Sequence, residues 1–90
     1  MAHSISARKR VRQNARAAAR NRPFRTRAVR AVRDARLAIE DGAAEATELV
    51  REAQSALDSA ARRNIIHRNA AARRKSRLVR ALKEMQAAAL

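Results

Sequence analysis

Very little in this chain interrupts a helix, because its 90 residues contain one glycine and one proline. Alanine, arginine, leucine, glutamate and lysine fill most of the other positions, and all five are strong helix formers. Strands and their turns favour β-branched, aromatic, glycine and proline residues, which are scarce here. The sequence therefore predicts an all-α protein, and its length corresponds to a single domain over residues 1–90.

A few residues mark where the helices begin and end. Ser4 and Ser6 are candidate N-caps, since their hydroxyls can accept hydrogen bonds from the first backbone N–H groups of a helix. Gly42 and Asn64 are the residues best suited to the left-handed conformation that follows a helix C-terminus. These signals predict three helices joined by short turns, over about residues 5–41, 44–62 and 67–88.

Pro23 falls within the first of these helices. Inside a helix, a proline removes one backbone hydrogen bond and clashes with the carbonyl of Ala19, at a cost of about 3 kcal/mol. At the first turn of a new helix it costs little. We therefore expect a kink or break near Asn21–Arg22, which separates a projecting basic arm (5–21) from a helical bundle (23–88).

Each helix carries one apolar stripe when its residues are placed at 100° intervals. In the first helix the stripe consists of Phe24, Ala28, Ala31, Val32, Ala35 and Ile39. In the second it consists of Ala46, Leu49, Val50, Ala53, Leu57, Ala60 and Ala61, and in the third of Ala71, Leu78, Leu82 and Met85. Three stripes that meet in a thin, alanine-rich core predict a three-helix bundle of marginal stability.

Charge is arranged in blocks along a chain whose formal net charge is +14. Residues 1–33 contain eleven basic residues and no acid. Residues 34–61 contain seven acids against two arginines, and residues 62–90 return to nine basic residues against Glu84. Such a surplus opposes compaction until an anionic partner neutralises it. The blocks indicate two segments that face a polyanion and one, the acidic middle, that faces away.

Arginine supplies nineteen of the 22 basic residues. Its planar guanidinium can donate two hydrogen bonds to one phosphate and stays charged at physiological pH. One basic ridge on the arm consists of Arg8, Arg12, Arg16 and Arg20, and a second ridge, opposite the apolar stripe of the third helix, consists of Arg73, Arg77 and Arg80. Like charges four residues apart repel, so we expect the arm to become ordered on binding.

Folded RNA, recognised by shape and charge, is the favoured partner. The chain has no tyrosine or tryptophan, and Phe24 is assigned to the core, so base stacking on aromatic rings is not expected. The alternative is a histone-like protein that compacts DNA without sequence preference. A cationic peptide acting on anionic membranes is disfavoured by the acidic middle segment and by the three separate stripes.

Other classes of function find little support. Cysteine is absent, and His3 and His67 are isolated from other ligand-type side chains, so no metal ion or cofactor is expected. Only eighteen apolar residues are larger than alanine, too few to wall a deep pocket, so neither an enzymatic activity nor a small-molecule substrate is expected. The apolar runs fall far short of the roughly 20 residues of a membrane span.

The run from Ile66 to Leu78, IHRNAAARRKSRL, closely resembles the signature of the bacterial small-subunit ribosomal protein S20 family. The Met1-Ala2 start, the basic opening at residues 6–10 and the Ala38-Ile39-Glu40 run before Gly42 agree in order. The resemblance implies a three-helix bundle with a long first helix. It also implies a structural, cytoplasmic protein of the ribosome that binds 16S ribosomal RNA in the 5′ domain and the 3′-minor-domain stem during assembly, with few protein contacts.

The resemblance also identifies candidate RNA contacts. On the signature these are His67, Arg68, Asn69, Arg73, Arg74, Lys75 and Arg77. The basic positions Lys9, Arg10, Arg12 and Arg16 join them, and the two ridges add Arg8, Arg20 and Arg80. His67 is also a candidate cap of the third helix, and Lys75 lies close enough to the apolar stripe for its stem to pack there. The chain departs from the family in having Asn64 in place of a usual glycine, and Pro23 within a usually unbroken helix.

Overall fold

The computed structural model of the protein describes residues 5–89. The predictions for Met1, Ala2, His3 and Ser4 lie outside this range. The chain forms α1 (Ile5–Glu40), α2 (Ala46–Arg62) and α3 (Arg68–Ala88), and no strand occurs within residues 5–89. The predicted all-α fold with a long first helix is confirmed, and each predicted helix end lies within two residues of the observed one.

The two turns have the same construction. Gly42 and Asn64 adopt left-handed conformations, with φ angles of 64° and 58°. After α1, the Ala43 amide donates to the Ala38 carbonyl at 2.9 Å and the Gly42 amide donates to the Ile39 carbonyl at 3.1 Å. This pair of bonds is a Schellman motif, which satisfies carbonyls that the helix leaves unpaired. The amides of residues 64 and 65 repeat it after α2, so the sequence predicted both helix ends correctly.

Pro23 lies inside α1, which runs without interruption from Ile5 to Glu40. The structure therefore has no break near Asn21–Arg22, so of the kink or break expected there the break is excluded. Because proline has no backbone N–H, the Ala19 carbonyl loses its helical partner. Ala19 is exposed, so water can bond this carbonyl, and the strong helix formers before and after Pro23 allow the helix to continue.

The first half of α1 extends away from the bundle. No residue of α1 between Ile5 and Arg27 is buried, and burial begins at Ala28. The molecule measures 65 × 20 × 20 Å, and a helix of 36 residues is about 54 Å long. The long dimension is therefore mostly that of α1, with the basic arm (5–21) projecting at one end.

The core is thin and rich in alanine, as the stripes predicted. Its buried residues are Ala28, Ala35, Ala38, Ala46, Val50, Ala53, Ala56, Leu57, Ala60, Ala71, Leu78 and Leu82. Ala38 and Ala56 were not predicted, whereas Phe24 is half-buried rather than part of this core. The helix α2 packs extensively on both neighbours, while α1 and α3 touch much less. An open groove therefore remains between α1 and α3.

Candidate nucleic-acid interface

The arm presents cations that no acid within residues 5–89 engages in an ion pair. The predicted contacts Arg8, Lys9, Arg10, Arg12, Arg16 and Arg20 are all exposed. The first acid in the sequence is Asp34, more than one helical turn beyond the arm. About 17 residues of helix carry these cations over roughly 26 Å. Such a rod can reach phosphates that the bundle itself does not approach.

The arginines of α3 form the second basic surface. Arg73, Arg77 and Arg80 are exposed, whereas Leu78 and Leu82 of the same helix are buried. The structure thus confirms the predicted division of α3 into a core face and a basic face. The candidate contacts Arg68, Asn69 and Arg74 are also exposed. Because these groups lie on a regular helix, their spacing is fixed before any partner arrives.

His67 caps the N-terminus of α3. Its backbone is extended, and its Nδ1 accepts a hydrogen bond from the Asn69 amide at 3.0 Å. A nitrogen that accepts cannot carry a proton, so the neutral ring holds its proton on Nε2. His67 is exposed, and Nε2–H can therefore donate to a phosphate while Nδ1 caps the helix. Both predicted roles of this residue are compatible with its geometry.

Lys75 has a different place from the other signature cations. Its ammonium donates to both carboxylate oxygens of Asp58, at 2.9 and 3.2 Å. Its side chain is 32% exposed, in agreement with the expectation that the stem packs. The ammonium therefore fastens α3 to α2, and the predicted role of Lys75 as an RNA contact has to compete with this ion pair.

A groove between α1 and α3, which we call the α1–α3 groove, was not predicted from the sequence. Its basic edges are Arg33 and Arg36 from α1 with Arg74 and Arg77 from α3, and its apolar floor is Val29, Val32, Leu78 and Ala81. Helical spacing places Arg33 and Arg36 away from the apolar stripe of α1, but only the relative position of two distant helices brings them opposite Arg74 and Arg77. No single-helix pattern contains this information.

A second contact missed by sequence reasoning joins the α2–α3 turn to α1. The guanidinium carbon of Arg63 lies 3.8 Å from the centroid of the Phe24 ring, a cation–π contact. Phe24 lies one residue beyond Pro23, at the end of the bundle from which the arm projects. One face of the Phe24 ring is therefore covered by the Arg63 guanidinium.

Three acids form a surface of their own at the N-terminal end of α2. Glu45, Glu48 and Glu52 are exposed, as predicted, and Glu48 pairs with Arg51 at 3.1 Å. Within residues 5–89, no group of three or more histidine, aspartate or glutamate side chains could hold a metal ion. None of the helices described has the length and apolar character that a membrane crossing requires.

Comparison with known proteins gives full-length matches. The family model described as "Ribosomal protein S20" matches residues 2–83. The small ribosomal subunit protein bS20 of Roseiflexus sp. (strain RS-1) is 52% identical over 88 residues, covering 98% of this chain and 97% of that protein. The protein of the same name from Burkholderia cenocepacia (strain HI2424) is 46% identical over 90 residues, covering 99% and 100%.

Proposed function

Because the chain belongs to the ribosomal protein S20 family, we propose that it binds 16S ribosomal RNA directly and stabilises the folding of that RNA during assembly of the small subunit. The family is one of structural ribosomal proteins, not of enzymes. The resemblance inferred from the signature run is confirmed. A location in the cytoplasm, within the ribosome, agrees with the same matches.

The observation that supports direct binding is the separation of charge over the molecular surface. Cations occupy the whole length of the arm and the outer face of α3, whereas the exposed Glu45, Glu48 and Glu52 form an acidic surface at the start of α2. Two basic surfaces on different helices can neutralise phosphates of two separate RNA segments. The protein would thereby act as a brace that holds those segments at a fixed distance.

The proposed contacts are those that the sequence indicated and the structure leaves exposed. They are Arg8, Lys9, Arg10, Arg12, Arg16, Arg20, His67, Arg68, Asn69, Arg73, Arg74, Arg77 and Arg80. Each arginine can donate to one phosphate through its planar fork and releases condensed counterions on binding. We place the partner segments in the 5′ domain and the 3′-minor-domain stem, with few contacts to other proteins.

Binding of the purified protein to 5′-domain RNA tests the proposal. The logarithm of the affinity should fall linearly with the logarithm of salt concentration, by about 0.7–0.9 for each phosphate contacted. Footprints should protect defined RNA segments in the presence of excess duplex DNA. A flat salt response would refute the electrostatic mechanism, and full competition by the DNA would favour a histone-like compactor instead.

Two single substitutions that each remove one positive charge give a matched comparison. Arg77→Gln lies on the basic face of α3 and should weaken RNA binding and lower the salt slope by about one. Arg51→Gln lies beside Glu48 on the acidic surface and should leave the slope unchanged. Equal effects of the two changes would mean that only net charge matters, and that the face of α3 is not a binding surface.

A further inference from the structure

The floor of the α1–α3 groove is apolar, which a purely phosphate-binding surface does not require. Leu78 is 4% exposed and Val32 is half-buried, but Val29 is 59% exposed where the floor reaches solvent. An exposed valine among arginines has no partner in the bundle to cover it. The groove offers about 610 Å³ of space, within the range of 300–1,000 Å³ typical of sites for small organic groups.

The basic edges of the groove are positioned to hold an anion above this floor. Arg36, Arg74 and Arg77 make no ion pair within residues 5–89, and Arg33 makes only a long one, 3.7 Å from Asp34. Two helices thus contribute guanidinium groups from opposite sides. An occupant must combine an apolar or π surface with negative charge to satisfy both the floor and the edges.

We propose that the α1–α3 groove binds one unpaired nucleotide of an RNA, a proposal that rests on the proposed function. The base lies on the floor formed by Val29, Val32 and Leu78, and its phosphate is held by the arginines at the edges. Guanidinium planes also stack on bases, so aromatic side chains are not required. The floor offers no hydrogen-bonding groups, so stacking on it does not select one base over another.

The observations favour a nucleotide over a paired RNA helix or an acidic peptide. The phosphates of a helix would satisfy the arginines but would leave the floor facing a charged backbone, which costs desolvation without a compensating contact. A peptide would need both acids and apolar side chains in register. The groove is also continuous with the basic face of α3 through Arg77, which lies at its edge.

The test uses full-length protein with labelled valine and leucine methyl groups and two short RNA hairpins. One hairpin carries a single bulged adenosine, and the other is identical but fully paired. The bulged hairpin should bind about fivefold more tightly, the low end of the range for a base stacked on an aromatic ring, because the floor is aliphatic. Its base should shift the methyl resonances of Val29, Val32 and Leu78 through the ring current, whereas the paired hairpin and inorganic phosphate should not.

Two further variants, neither of which alters the net charge, test the role of the floor. Val29→Ser removes an exposed part of the floor and should abolish the preference for the bulged hairpin. Leu37→Ser is the control, because Leu37 is 51% exposed on α1 outside the groove, and it should retain the preference. Both positions are exposed, so circular dichroism should show the same helix content for both variants.

The outcomes of this test distinguish an error in the nucleotide site from an error in the proposed function. Salt-dependent binding of both hairpins with equal affinity would refute the nucleotide site and leave the proposed function standing. Larger methyl shifts with an acidic peptide than with the bulged hairpin would also refute it, in favour of a protein partner. No binding of either hairpin or of 5′-domain RNA would refute the proposed function together with the site.

Discussion

Lys75 and Arg77 lie two residues apart in α3, but their cations have different surroundings. The Lys75 ammonium is held by Asp58 of α2, whereas no ion pair within residues 5–89 engages the Arg77 guanidinium. A rotation of 200° around the helix separates their directions. Two cations that are close together in the sequence can therefore have different roles. The ion pair with Asp58 makes Lys75 part of the bundle.

The Asp58–Lys75 pair should contribute to the stability of the bundle. Asp58→Asn removes the carboxylate charge and should lower the free energy of unfolding by about 0.5–1 kcal/mol, the upper part of the range for partly exposed pairs. Arg51→Gln is the control, since it breaks the exposed Arg51–Glu48 pair within α2 and should cost no more than about 0.5 kcal/mol. Thermal unfolding followed by circular dichroism measures both. A smaller loss for Asp58→Asn than for Arg51→Gln would contradict this role.

At the scale of the helices, the ends were predictable because they depend on local chemistry. The left-handed Gly42 and Asn64 and the cap of His67 each involve atoms within a few residues of one another. At Pro23 the sequence left a kink or a break open, and the helix formers on both sides keep α1 unbroken. The burial of Ala38 and Ala56 was missed because alanine, which occurs 24 times in the chain, is found on every face of these helices.

The position of α1 relative to α3 was beyond sequence reasoning. Periodicity shows which face of a helix is apolar, but not which other face lies beside a neighbouring helix. Arg36 and Arg74 are 38 residues apart in the sequence. They face each other across the groove because α2 packs against both α1 and α3. The arginine ridges on single helices were therefore predictable, whereas the α1–α3 groove and the contact between Arg63 and Phe24 were not.

The conformation of Asn64, in the turn after α2, predicts which substitutions lower the free energy of unfolding. Asn64 has a φ of 58°, in a region where alanine is strained and glycine is not. Asn64→Ala should lower the free energy of unfolding by about 1 kcal/mol, whereas Asn64→Gly should leave it unchanged or raise it slightly. Chemical denaturation of the two variants measures the difference. An alanine variant as stable as the glycine variant would show that this turn is not left-handed in solution.

At the scale of the whole molecule, a small core supports a large surplus of charge. Eight of the twelve core residues are alanine, and each buries little apolar surface. The core therefore contributes modestly to stability, while the net charge of +14 opposes compaction. The arm adds cations without adding any buried residue. The same charge that drives association with a polyanion thus weakens the free protein.

This opposition predicts that salt acts in opposite directions on the free protein and on its complex with RNA. Raising salt from about 0.01 M to about 0.15 M shortens the screening length from about 30 Å to about 8 Å. If screening relieves about 1 kcal/mol of repulsion, the Tm of the free protein should rise by about 4–8 °C. RNA affinity over the same range should fall steeply. Circular dichroism and filter binding in matched buffers measure the two responses. A Tm that falls with salt would mean that attraction between the acidic surface of α2 and the basic helices outweighs the repulsion among the arginines.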